Sequence, residues 1–178
     1  MKIIDFFSKE YYRESARRDM RFGIVDPMDR GSDETKKRAF TTTKNEENWH
    51  ASVENKSGKN LIFMPIDHNI SFPPKTSLCD GMLYNRSEGL LVFIELKTKK
   101  KQWISKAIKQ LESTIELFST NYDEEQYMNE FTDRRAYAAN KKKKRQQVQA
   151  QVPMLQTIEK FHEKTQFILH IEYKIGIE

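Results

Sequence analysis

The sequence predicts an α/β fold: a mixed central sheet flanked by helices, preceded by a helical and irregular N-terminal extension. Three observations lead there. Residues 90–96 are apolar at every position but Glu95, the pattern of a central strand covered on both faces. Residues 103–118 place Ile104, Ala107, Ile108, Leu111, Ile115 and Phe118 on one helical stripe. Residues 167–177 alternate, with Phe167, Leu169, Ile171, Tyr173, Ile175 and Ile177 on one face.

The chain has 178 residues, a length that suits one domain or one domain with an extension. Hydrophobic residues make up only 37%, so part of the chain is expected outside the core. The net charge of +5 is a mild excess, and its placement matters more than its size. The single cysteine excludes an intrachain disulfide and a zinc site built from several cysteines. No apolar run approaches the roughly 18 residues of a membrane span, so no membrane partner is expected. Ile3-Ile4 and Phe6-Phe7, interrupted by Asp5, are too short for a signal peptide, and a cytoplasmic location is expected.

Taken in order, residues 4–20 carry Ile4, Phe7 and Tyr11 at helical spacing. Residues 23–46 hold Gly23, Pro27, Gly31 and many charges, and predict an irregular arm, with a short strand at 40–43 as the alternative. Residues 1–46 therefore form the extension and 47–178 the main domain. Residues 45–54 predict a helix with Trp49 and Val53 on one face. Residues 61–64 are a first strand, and Pro73-Pro74 marks a loop. Residues 78–84 are a second strand and 85–89 a turn cluster leading into the run at 90–96. After the helix at 103–118 come an acidic connection at 121–133 and a short strand at 135–139. A basic run at 141–145 precedes a helix from Pro153 through Leu155, Ile158 and Phe161. The order is helix, three strands, helix, strand, helix, strand.

The chemistry gathers between Cys79 and Leu111. Glu95 and Lys97 are two apart on a strand and share a face. In an apolar strand their desolvation is costly unless they are paired or bind something. If Asn85 and Leu90 close the turn, Asp80 stands opposite Glu95, with Cβ atoms about 4.5–5.5 Å apart. A slip of one residue would turn Asp80 to the other face. Two facing carboxylates suit Mg²⁺, with the carbonyl of Leu96 as a further ligand. Lys97 would orient or deprotonate a water, or stabilise charge at phosphorus. Lys106 and Gln110 lie four apart on the next helix, within reach of the site or a nearby phosphate.

An isolated Glu-x-Lys is more often a solvated strand end with a same-face ion pair. Asp80 in register and Gln110 on the following helix favour the site. Asp67-His68 is either a metal-binding pair or, the preferred reading, a loop at the mouth where His68 touches substrate. Lys99, Lys100 and Lys101 directly follow the strand and are candidates for phosphate contact, with Lys141 to Arg145 a second basic run. His50, His162 and His170 read as structural or surface residues, Trp103 as core or rim, and Cys79 as a buried thiol.

Asp80, then Glu95-Leu96-Lys97, then Gln110 in the next helix resemble the motif of the PD-(D/E)xK nucleases, the restriction-endonuclease-like superfamily. The resemblance covers residues 47–140, and the element order matches the family core. It implies a restriction-endonuclease-like fold and a Mg²⁺-dependent endonuclease hydrolysing phosphodiester bonds in DNA, with Mn²⁺ able to substitute. It implies that Asp80 and Glu95 hold the metal, that Lys97 assists hydrolysis and that Gln110 supports the site. Many members add an acid from the helix before the first strand; Glu54 is the best match, with Glu47 behind it. Cys79 stands where the family often has proline. One centre cuts one strand, so cutting both implies a homodimer. The competing readings are a non-catalytic nucleic-acid-binding module and a protein-interaction scaffold on the same fold.

Overall fold

The structure is a computed structural model that describes residues 4–27, 32–99, 101–121, 124–144 and 152–178. Its strands and helices run β1 (Arg21–Val25), β2 (Phe40–Thr42), β3 (Ala51–Asn55), β4 (Ile62–Pro65), β5 (Gly81–Asn85), β6 (Leu90–Lys97), α1 (Ile104–Asn121), α2 (Glu124–Glu130), β7 (Asp133–Asn140), α3 (Val152–Thr165), β8 (Ile168–His170) and β9 (Lys174–Ile177). The fold is mixed α/β with two mixed sheets. Five strands are ordered β4-β5-β6-β7-β8, and four are ordered β2-β1-β3-β9. Among the described residues no helix is long and apolar enough to cross a membrane.

The alternation along β6 explains the layering. Leu91 and Phe93 face the helices, in one core with Leu111, Ile115, Phe118 and Phe161. Leu90, Val92, Ile94 and Leu96 face the four-stranded sheet, in a second core with Phe22, Ile24, Val53 and Ile175. The five-stranded sheet is thus covered by helices on one side and by the second sheet on the other. Burying each such Phe, Leu or Ile stabilises the fold by about 1.5–3 kcal/mol before entropy is counted. Between β5 and β6 the chain turns through Arg86–Glu88 and Gly89, whose φ of 67° is the left-handed conformation that glycine enters without strain.

Several expectations change. Residues 4–20 form no helix; two turns, closed by Ser8 N–H to Asp5 O and Tyr11 N–H to Ser8 O, lead into a stretch beside β4, where Glu14 N–H donates to Phe63 O at 2.9 Å and Arg17 and Leu61 exchange bonds at 2.8 and 2.9 Å. Phe6 and Phe7, neighbours in sequence, both enter the helix-side core. Residues 23–46 are not merely an irregular arm: β1 and β2 are antiparallel strands of the four-stranded sheet. Residues 45–54 are no α-helix but a short 3₁₀ turn, Glu46–Asn48, followed by β3. The inward Ala51 and Val53, alternating with Ser52 and Glu54, set the strand period. The connection at 121–133 contains α2. The alternating run at 167–177 is two strands in different sheets: Leu169 and Ile171 reach the helix-side core, Ile175 and Ile177 the core between the sheets.

Candidate active site

The antiparallel register of β5 and β6 runs from Asn85 opposite Leu90 to Gly81 opposite Ile94. Continued by one residue, that register points to Asp80 and Glu95; Asp80 itself lies in the bend just before β5, outside the ladder. Asp80 Oδ2 accepts the Leu96 N–H at 2.6 Å, a backbone donor that β5 no longer fills. An extended residue projects its N–H and C=O to the same edge, so the Leu96 carbonyl is directed to this side as well. Glu95 is 1% exposed. Its Oε1 accepts from Lys97 Nζ, its Oε2 is buried with no amide, ammonium or hydroxyl donor on it, and the Asp80 carboxyl hydrogen-bonds to the same side chain.

Helix α1 closes the arrangement. Lys97 Nζ also donates to Gln110 Oε1 at 2.5 Å, and Gln110 Nε2 donates to Leu78 O at 3.0 Å. One turn further on, Thr114 Oγ1 accepts the Cys79 N–H at 2.8 Å and donates to Gln110 O at 2.8 Å. The segment entering β5 is therefore pinned to the helix by two side chains four residues apart, on one helical face.

The electrostatics are those of a crowded acid pair. Burial pushes the Asp80 carboxyl well above the usual carboxylate range; the charges of Glu95 and Asp26 add to this, and the Leu96 N–H and Lys97 oppose it. Burial also lifts Glu95, from 4.5 to about 7, with the Lys97 ammonium as the main opposing influence. The Cys79 thiol is pushed up by burial first and by Glu95 second, so it is an inert buried thiol rather than a nucleophile.

Asp80, Glu95, Lys97 and Gln110 are thus brought together, and Leu96 joins them through its backbone. Glu54 is not. Because Val53 points into the core, Glu54 points to the outer face of the four-stranded sheet, where it pairs with Arg21 at 3.0 Å. Glu47 is exposed in the turn Glu46–Asn48. The acid that sequence reasoning missed is Asp26, directly after β1, whose charge acts on both Asp80 and Glu95. Its signal was an acid ending an apolar strand, Ile24-Val25-Asp26, the same signature as Ile94-Glu95. The Asp26 N–H donates to Nδ1 of the buried His50 at 3.3 Å.

His68 lies in the loop after β4 and is held by acids: Nδ1 is 2.8 Å from Glu34 Oε2 and Nε2 is 3.3 Å from Asp67 Oδ2. Lys99, Lys101 and Lys106 are exposed, and Lys100 and Arg145 lie outside the described residues. Asn140, opposite Lys97 in the parallel β6–β7 register, is 1% exposed. Its Nδ2 donates to Lys99 O at 2.6 Å, and its Oδ1 accepts the Lys142 N–H at 3.0 Å. One buried amide thus ties both basic segments to the sheet end that carries Lys97.

A cation's fit rests on these donors. Among the described residues no group of three or more His, Cys, Asp and Glu could hold a metal ion. Mg²⁺ needs fewer, since it takes oxygen ligands, uses one or two carboxylates and keeps several waters. Asp80, Glu95 and the Leu96 carbonyl are the oxygen donors here that would fit such a set. No family model matches this chain, and no curated protein or solved structure is found to be similar to it.

Proposed function

We propose that the chain is a Mg²⁺-dependent endonuclease of the restriction-endonuclease-like, PD-(D/E)xK kind, hydrolysing phosphodiester bonds in DNA. The observation that carries the reading is the buried acid pair itself: the Glu95 and Asp80 carboxyls lie against each other, with the Lys97 ammonium held against Glu95. The antiparallel β4-β5-β6 meander, followed by α1 and the parallel strand β7, supports the fold assignment.

Asp80, Glu95 and the Leu96 carbonyl would hold Mg²⁺, or Mn²⁺ in its place. When bound, the cation supplies neutralisation of phosphate charge and acidification of a bound water. The residues of the chain do the rest. Lys97 has three N–H donors; Glu95 and Gln110 take two, and the third remains for an oxygen of the scissile phosphate. As an ammonium it stabilises the charge that builds there on attack. Gln110 fixes Lys97 and the Leu78 carbonyl together, which holds the lysine at a constant distance from the segment bearing Asp80. Lys99, Lys101 and the turn Lys141–Lys143 supply positive charge at the same sheet end, suited to a phosphate backbone. Each centre cuts one strand, so double-strand cutting would require a homodimer.

Incubation with plasmid, linear and branched DNA and with RNA, in Mg²⁺ or Mn²⁺, tests the reading. Metal-dependent cleavage that disappears in Asp80→Ala and Lys97→Ala is expected; unchanged cleavage in both variants overturns it. DNA binding without cleavage would mark a non-catalytic binding module, and neither binding nor cleavage a protein-interaction scaffold.

A further inference from the structure

We propose that Thr114 is a positioning residue for the Asp80 carboxylate, acting through the backbone of Cys79. The inference rests on the reading of Asp80 and Glu95 as the cation-holding acids. Thr114 is fully buried in the middle of α1, on the face turned to the five-stranded sheet. A threonine hydroxyl has one proton and two lone pairs. The proton goes to Gln110 O at 2.8 Å, which leaves the lone pairs to receive the Cys79 N–H at 2.8 Å.

The consequence lies one residue on. β5 joins its ladder with β6 only at Gly81, so no ladder pair fixes Cys79 or Asp80; β6 meets them through their side chains, the Leu96 N–H at Asp80 Oδ2 and the Ile94 backbone at the Cys79 thiol. Cys79 is held by Thr114 and Leu78 by Gln110. On the other side Ile66 N–H donates to Asp80 O at 2.9 Å. With the backbone held on both sides of the Asp80 Cα, the rotamer that meets the Leu96 N–H at 2.6 Å places the carboxyl beside Glu95. Without the hydroxyl, a buried Cys79 N–H loses its acceptor and the segment must shift to find another. A shift of that kind moves the Asp80 oxygens first; Lys97 keeps its ion pair with Glu95, and the basic segments stay tied to Asn140.

The same motif recurs where no site lies. Thr165, at the end of α3, donates to Phe161 O at 2.7 Å and accepts the Phe167 N–H at 3.1 Å. It is a control for the hydroxyl alone: it too donates one turn back and accepts a buried backbone N–H, but that N–H is two residues on in its own turn rather than on the segment bearing Asp80.

The test measures Mn²⁺ binding to the full chain by calorimetry or electron paramagnetic resonance, without DNA, and the steady-state constants for DNA cleavage alongside. Thr114→Val is expected to weaken Mn²⁺ binding by about 10–100-fold, the range typical of groups that orient metal ligands. It is expected to lower kcat while leaving KM for DNA close to wild type. Thr114→Ser, which restores the hydroxyl, is expected to recover both values, and Thr165→Val to lose thermal stability while keeping wild-type Mn²⁺ affinity. Should Thr114→Val not fold, Thr114→Ala is read in its place. Wild-type Mn²⁺ affinity in folded Thr114→Val or Thr114→Ala overturns the proposal alone, as does an equal loss of affinity in Thr165→Val. A wild-type chain that neither binds Mn²⁺ nor cleaves overturns the reading of the acids and this proposal with it.

Discussion

Asp80 Oδ2 accepts the Leu96 N–H at 2.6 Å, which seats its carboxyl beside that of Glu95, and the environment raises both carboxyls above their usual range. The folded protein therefore keeps protons that the unfolded chain releases. For Glu95 the window runs from 4.5 to about 7, and in it this group's contribution to stability falls as pH rises. Asp80→Asn removes one charge of the pair. In the presence of chelator its melting temperature should exceed that of wild type, by an amount that grows from about pH 5 to about pH 8. Each kcal/mol gained corresponds to about 2–4 °C at this chain length. Mn²⁺ at the higher pH should raise the wild type toward the variant. Melting curves at both pH values check this, and a gain that shrinks as pH rises contradicts it.

Lys97 and Gln110 divide the support of the site between charge and geometry. Lys97→Met removes the ammonium that opposes the rise of the Glu95 carboxyl, and it removes the spare donor to phosphate. Its kcat should fall by about 10²–10³-fold, as when one preorganised donor is lost from an active site. Gln110→Ala keeps the charge and loses its placement, so a fall of about 10–100-fold is expected. Single-turnover cleavage at saturating DNA separates the two. Equal losses would mean that Lys97 acts only where Gln110 holds it.

The basic segments should contribute to binding rather than to the chemical step. Replacing Lys141 and Lys142 together with alanine should weaken duplex DNA binding. It should also reduce the slope of log affinity against log salt by about 0.9 for each phosphate no longer neutralised. At saturating DNA the cleavage rate should stay close to wild type, since neither side chain touches the acids. Binding titrations over about 50–200 mM salt measure the slope.

What could be read locally in the sequence was the centre of the molecule. β6 announces itself by apolar residues on both faces, and the expected closure of the turn by Asn85 and Leu90 is the register that runs on to Gly81 and Ile94, next to Asp80 and Glu95. Gln110 followed from helical period. The four-stranded sheet escaped because its pairings are distant or its residues ambiguous. Ser52 pairs with Lys174, across most of the domain. Gly23, which resembles a loop glycine, is a strand residue lying under Trp49: a Cβ there would come within 2.0 Å of the indole. Glu54 was assigned to a helix because the stretch holding Trp49 and Val53 fits helical and strand periods equally over so short a length. Thr114 was invisible because its partner is defined only by packing, and Asp26, marked in sequence only as an acid after apolar Ile24-Val25, owes its place near Asp80 and Glu95 to packing as well.

That hidden sheet leads to a prediction about the first 46 residues, whose composition suggested an appendage. β1 supplies Phe22 and Ile24, both with no exposed surface, to the core between the sheets, and Phe6 and Phe7 fill the helix-side core against Phe118 and Phe131. Removing them would leave β3 without its antiparallel neighbour and both faces of the five-stranded sheet partly bare. Four large apolar side chains at about 1.5–3 kcal/mol each approach the whole stability of a typical domain. A chain of residues 47–178 should therefore fail to give a cooperative melting transition or dispersed amide resonances, and should bind hydrophobic dyes. The milder variant Gly23→Ala should fold but melt lower, by about 1–3 kcal/mol of overpacking against Trp49. A truncated chain that melts cooperatively near the full-length temperature would return residues 1–46 to the status of an extension.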